Sequence, residues 1–189
     1  MDNIVNNPDL LSVCNANGVT IVYNGKIYSS GMVPDNVNTL LLADYFAKLT
    51  NHGNFSTDKL SGYFDEFKDL GGKVSGMIYH SLGIQNNDCI IWYRPESKTE
   101  VHWAGDPTKS IIKNEKGLSP RRSFALWKEI VDSTSNPWLR PELESAAAYA
   151  FSLQKQINLL MITREEQKYR RLSELLRAVS YTHLTLPTK

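Results

Sequence analysis

The sequence predicts an α/β fold of the α+β kind, an antiparallel sheet flanked by helices, and three observations carry that prediction. β-Branched and aromatic runs on either side of Asn24-Gly25 read as a hairpin. Two further runs of the same character, Val74–Leu82 and Cys89–Tyr93, follow a helical stretch. A long helical pattern then opens at Pro141.

The hairpin pairs Val19-Thr20-Ile21-Val22-Tyr23 with Lys26-Ile27-Tyr28, because Asn-Gly accepts positive φ at both turn positions. Asn17-Gly18 marks a second tight turn, after the short apolar run Leu10-Leu11-Ser12-Val13. After Pro34, the residues Val37, Leu40, Leu41, Asp44, Tyr45 and Leu49 place a mostly apolar stripe at helical spacing, which predicts a helix buried along that stripe. Thr50 to Thr57 reads as a turn-rich connection, and Leu60 to Leu70 as a second helix stopped by Gly71-Gly72. The strands Val74–Leu82 and Cys89–Tyr93 are separated by Gly83 and the turn-forming Asn86-Asn87-Asp88.

Residues 97 to 119 are the least regular part of the chain, polar and, counted over 97–122, net positive, and read as a functional arm or a disordered insert. Residues 119 to 133 fit two local structures. Ser119-Pro120 is a good helix start with Phe124, Trp127 and Val131 on one face, while Ile111-Ile112 and Phe124 also suit a two-stranded arm closed near Asn114 to Gly117. From Pro141 to about Ala178 the pattern is one helix, more than ~50 Å long at about 1.5 Å per residue. Ala146, Ala150, Leu153, Ile157 and Leu160 follow coiled-coil spacing. The seam lapses over Thr163–Lys168 and resumes out of phase at Tyr169, Leu172, Leu176 and Val179, which suits a connector or a dimer seam. The Thr-rich last ten residues, Ser180 to Lys189, break this pattern and read as a non-native tail.

Composition excludes several classes. With 41% apolar and 22% charged residues the 189-residue chain suits one ordinary domain plus an appendage, not a disordered segment. Lys plus Arg (21) balance Asp plus Glu (20) at a net +1, so nothing points to nucleic acid or an anionic membrane. No apolar run nears the roughly 20 residues of a membrane span, and the N-terminus lacks the pattern of a signal peptide. Cys14 and Cys89 stand too far apart for a metal site and too few for a disulfide framework, which favours a reducing, cytoplasmic setting.

An active site is not visible. His52, His80, His102 and His183 are scattered, and HExxH, GxSxG and Walker-type loops are absent. Cys89 reads as buried packing, Asp65, Glu66 and Asp69 as a solvated face, and Gly71-Gly72-Lys73 as a helix stop. Trp103 is an unusual aromatic in a polar arm and suits an anchor docked on a partner. Arg121 and Arg122 read, by themselves, as a solvated basic pair, and Trp138 as a staple between helix and sheet.

Taken in order, several of these segments form a familiar set. Trp103-Ala104-Gly105 fits WxG, Pro120-Arg121-Arg122-Ser123-Phe124 fits PRxSF, and Trp127-Lys128-Glu129 fits aromatic-x-Glu; Trp92-Tyr93-Arg94-Pro95-Glu96 lies upstream and Pro137-Trp138 downstream. With the opening from Leu10 to Pro34, the set resembles the PHY domain of bacterial or cyanobacterial-type phytochromes over about residues 9 to 145.

The resemblance implies a GAF-like sheet with a hairpin tongue at about residues 97–126. It divides the chain into the end of a preceding linker (1–8), the PHY domain (9–135), a signalling helix (136–178) and a tail (179–189). It also implies a fragment lacking the PAS and GAF domains. In such photoreceptors the tongue seals a bilin pocket in the GAF domain, and the bilin-bearing cysteine lies upstream, so Cys14 and Cys89 are not attachment sites.

By the same resemblance Trp103, Gly105, Pro120, Arg121, Ser123 and Phe124 contact the GAF domain. Arg121 pairs with a GAF aspartate in the dark state and Ser123 takes over that contact after illumination. Trp127 and Trp138 are switch aromatics and Glu129 the motif acid. The implied partners are the GAF domain of the same chain, a second copy through the 141–178 helix, and an output module such as a histidine kinase; no catalytic residue is implied here. The alternatives are a GAF-like small-ligand sensor, which has no reason to carry WxG followed by PRxSF, and a plain dimerisation scaffold, which would not need Arg121 or Trp103.

Overall fold

The computed structural model describes residues 2–7, 9–70, 73–83, 87–97 and 134–184. The element order is α1 (Asp2–Val5), α2 (Asp9–Ser12), β1 (Gly18–Tyr23), β2 (Lys26–Gly31), α3 (Asn36–Leu49), β3 (Asn54–Thr57), α4 (Leu60–Tyr63), a 3-10 segment (Asp65–Leu70), β4 (Gly76–Ser81), β5 (Cys89–Arg94) and α5 (Arg140–Leu184). The strands form one antiparallel sheet in the order β2-β1-β5-β4-β3. The chain divides into two units, Met1–Ala150 and Phe151–Lys189.

The hairpin forms where the turn chemistry put it. Asn24 and Gly25 take φ of 49° and 71°, and Tyr23 pairs with Lys26 across them. Two positive φ values define the mirror-image turn that matches the right-handed twist of the strands. β4 lies inside its expected run, and β5 exceeds its run by one residue, Arg94. β5 is buried along its whole length, as a central strand between β1 and β4 must be.

Strand alternation gives the sheet two apolar faces. Val22, Met77, Tyr79, Cys89, Ile91 and Tyr93 join Leu42, Phe46, Leu60 and Phe67 in one core beneath α3. Val19, Ile21, Ile78, Ile90 and Trp92 fill the opposite face, and the Tyr149 ring of α5 meets the edge of Trp92 at 6.1 Å.

Five sequence expectations change. α3 exists, but it buries Thr39, Leu42, Ala43, Phe46 and Ala47, whereas Val37, Leu40, Leu41 and Leu49 of the expected stripe are exposed. The helix carries two apolar faces, and the aromatic cluster around Phe46 selects one of them. The stretch expected to be turns contains β3, which pairs with β4 from Asn54–His80 to Thr57–Met77.

The second helix is a single turn followed by a 3-10 segment with non-helical backbone at Phe67, a kink that lets both Phe67 and Leu70 turn inward. α5 continues to Leu184, so Ser180–Leu184 extend the helix that the sequence ended near Ala178. Ala146 and Ala150, read as the start of a dimer seam, are buried inside the first unit. In the second unit Leu160, Ile162, Tyr169, Leu172 and Leu176 are exposed.

Candidate functional site

The most elaborate constellation among the described residues gathers at the end of β5. Arg94 ends that strand on the same face as Ile90 and Trp92 and forms an ion pair with Glu142 at 2.7 Å. Their side chains are 8% and 10% exposed, and among the described ion pairs this is the one with both partners buried. Burying two charges requires that their remaining donors and acceptors be met.

They are met closely. Arg94 Nη2 also donates to the Cys14 carbonyl at 2.9 Å, Nε to the Asn15 carbonyl at 3.2 Å, and Nη1 to the Pro137 carbonyl at 3.1 Å. The guanidinium lies over the Trp138 ring, 3.8 Å from its centroid. A lysine has no planar fork with which to make these contacts together.

Glu142 serves two purposes. Its Oε1 accepts from Arg94 and from Asn15 Nδ2 at 3.0 Å, while Oε2 accepts the Leu139 backbone N–H at 2.8 Å. Leu139 is the cap of α5, so Glu142 acts as the acid of a capping box, satisfying a donor that the helix leaves open. Burial pushes the carboxyl upward, but the hydrogen bonds from Arg94, Leu139 and Asn15 and the Arg94 charge outweigh it and hold the group below the usual carboxylate range.

Trp138 is the one sequence-predicted site residue that the structure describes. It does staple the sheet: its Nε1 donates to the Thr57 carbonyl at the end of β3 at 3.0 Å while its face carries Arg94. Trp103, Gly105, Pro120, Arg121, Ser123, Phe124, Trp127 and Glu129 lie outside the described residues, as does the choice between helix and strand over 119–133.

The two flanks of 98–133 are joined at the constellation. Ser97 N–H donates to the Thr134 carbonyl at 2.8 Å and Ser97 Oγ to Asn136 Oδ1 at 2.9 Å. Ser135 N–H donates to the Asp58 carbonyl at 2.9 Å. Gly76 gives this path room, since a Cβ there would meet the Ser135 hydroxyl and lie 2.9 Å from the Ser135 Cβ, so that side chain would have to shift.

Arg94 stands inside the Trp92–Glu96 motif without an expected role of its own, and neither Glu142 nor Asn15 is among the expected site residues. Two signals were present: an arginine closing an otherwise apolar strand, and a glutamate three residues into a helix start.

The thiols are sealed. Burial pushes Cys14 up to about 12 and raises Cys89 still more strongly, so neither is a ready nucleophile at neutral pH. His80, set edge-on to Trp92 at 6.3 Å, is held below its usual value by burial. It borders a groove of about 360 Å³ with Asn54, Ser56, Leu143 and Ala147. Among the described residues no group of His, Cys, Asp or Glu could hold a metal ion, and no helix is long and apolar enough to cross a membrane.

The crystal structure of bacteriophytochrome RpBphP3 from the photosynthetic bacterium R. palustris shares the fold, with a TM-score of 0.60 at 23% identity, over 80% of this chain and 30% of that one. The phytochrome region model, PHY, matches residues 2–166, and the chain belongs to that family.

Cyanobacterial phytochrome B of Nostoc sp. is 33% identical over 142 residues, 74% of this chain and 19% of that protein. The phytochrome-like protein Cph1 of Synechocystis sp. is 29% identical over 171 residues, 88% of this chain and 22% of that protein. The chain therefore spans about a fifth of the length of these curated relatives. A PHY domain is a photosensory domain and not itself catalytic.

Proposed function

We propose that this PHY domain works in a red/far-red photoreceptor, where its 97–126 tongue shields a bilin held by a GAF domain and its C-terminal helix relays the light signal. The observation that carries this reading is the union, at one point, of the flanks of 98–133 with the start of α5. The ordered motif set between those flanks, WxG, PRxSF and aromatic-x-Glu, supports it.

In this reading Arg121 grips a GAF aspartate through two hydrogen bonds away from bulk water, which an arginine fork does better than any other side chain. Ser123 replaces it after illumination, and Trp103, Gly105, Pro120 and Phe124 complete the contact. Trp127 and Trp138 re-dock between states, and Glu129 belongs to the same motif. Moving such a switch from 1:99 to 99:1 takes about 5.5 kcal/mol, the scale of one ion pair exchanged and one tryptophan re-docked.

In this reading the bilin is held by the GAF domain, and the burial of both thiols of this chain, with their raised pKa values, supports that. The exposed stripe of Ile162, Tyr169, Leu172 and Leu176 suits pairing with a second copy. The output module, such as a histidine kinase of a two-component system, lies beyond it, and the setting is cytoplasmic.

The test is a graft of residues 9–178 behind a phytochrome PAS–GAF module, with absorbance recorded after red light. A stable far-red-absorbing state is expected, weakened in Ser123→Ala, with Arg121→Ala disturbing the dark state instead. A folded graft that forms no such state would overturn the reading.

A further inference from the structure

We infer that Arg94, Glu142 and Trp138 form a coupling junction through which strain at the Ser97–Thr134 base is transferred to the first turn of α5. The inference supplies a regulatory step for the photosensory reading and rests on that reading for its purpose, while its geometry stands alone.

Four chain segments meet on one planar group. The α2–β1 connection enters through the Cys14 and Asn15 carbonyls, and β5 through Arg94 itself. The 134–139 return enters through the Pro137 carbonyl and the Trp138 ring, and the helix through Glu142. Three residues beyond Arg94, Ser97 binds Thr134 and Asn136, so the outgoing and returning chains share one base.

A displacement of the return moves the Pro137 carbonyl and the indole, both of which orient the guanidinium. Turning the guanidinium withdraws Nη2 from Glu142. The carboxylate then loses the partner that holds it against the Leu139 N–H, and the helix cap opens. Directional hydrogen bonds weaken steeply with angle, and a close-packed junction has discrete arrangements rather than a continuum. The junction therefore passes the strain on or breaks as a unit.

Backbone amide exchange on the full 189-residue chain reads this without light or chromophore. Ser97→Pro removes both Ser97 hydrogen bonds to Thr134 and Asn136. It is expected to raise exchange at the Ser135 amide and, by about tenfold, at the Glu142 and Leu143 amides, with Ile91 in the sheet unchanged. In an Arg94→Lys background, which keeps the charge but not the fork, Ser97→Pro should still affect Ser135 but add nothing at Glu142 and Leu143. Should Arg94→Lys fail to fold, as judged by exchange at Ile91, Glu142→Gln replaces it as the uncoupled background with the same expectation.

Faster exchange at Ser135 alone in the Arg94 background, or an equal rise at Leu143 in both backgrounds, would overturn the junction. The graft absorbance and this exchange result fail separately: a graft without a far-red state leaves the coupling measured here standing.

Discussion

The two faces of the sheet are held by different physics. Beneath α3 the contacts are aromatic and non-directional. Phe46 stacks on Phe55 at 4.9 Å and meets Tyr45 and Phe64 edge-on, within a cluster that also takes in Leu42, Leu60 and Tyr79. Where α5 begins on the other face the contacts are few, charged and aimed, with one arginine serving a carboxylate, four backbone carbonyls and an indole. A packed face tolerates small shifts by repacking, whereas a directional one does not. A part that must hold position and then let go is better built the second way.

The largest expected effects contrast the two. Phe46→Ala should cost about 3–5 kcal/mol in denaturant unfolding, through lost burial and the cavity left behind. Glu142→Ala should cost a similar ~3–5 kcal/mol, because Arg94 is left buried and unpaired. The comparison sharpens with the double variant Arg94→Met/Glu142→Leu. A simple buried pair is often replaced by apolar residues at little cost. Here that exchange would orphan the Cys14, Asn15 and Pro137 carbonyls and the Leu139 N–H, so no recovery over Glu142→Ala is expected. A double variant as stable as the parent would mean that the charges act only on each other.

Acid should weaken the α5-side face in two stages. His80 is held neutral by burial, with a folded pKa below the roughly 6.5 of the free side chain. Its contribution is complete above that value and declines as pH falls from there toward the folded pKa. Glu142 is likewise depressed, so its share is complete above the usual carboxylate value of about 4.3 and declines below it. Thermal unfolding between pH 7 and 4 should therefore show a falling midpoint that His80→Phe flattens. A profile unchanged by that substitution would remove His80 from the account.

What could be read from the sequence follows the range of the interaction. The β1–β2 hairpin rests on Asn24-Gly25 and its neighbours, so two adjacent residues announce it. β5 announces itself by an unbroken run from Cys89 to Tyr93. β3 does not, because Asn-Phe-Ser-Thr is a strand only in the company of β4. The Arg94–Glu142 pair is separated by 48 positions, and no local pattern says which carboxylate will meet that guanidinium. Trp138 was legible as a staple because an aromatic between two prolines just before a helix has few places to go.

α3 is the instructive middle case and gives the smallest expected effect. Its sequence offers two apolar faces, and spacing alone favoured Val37, Leu40, Leu41 and Leu49, the one that faces solvent. The choice was made by volume: the Phe46 side has five aromatic neighbours to fill, and the other has none described. Leu41, 55% exposed, should therefore accept glutamine within about 0.5 kcal/mol in denaturant unfolding. Ala43, one turn away from Leu40 on the buried side, should not accept it, since an amide there enters an apolar core without partners. If Leu41→Gln instead cost as much as a core substitution, the exposed face would be covered in solution, and the contrast between the two sides of α3 would fall with it.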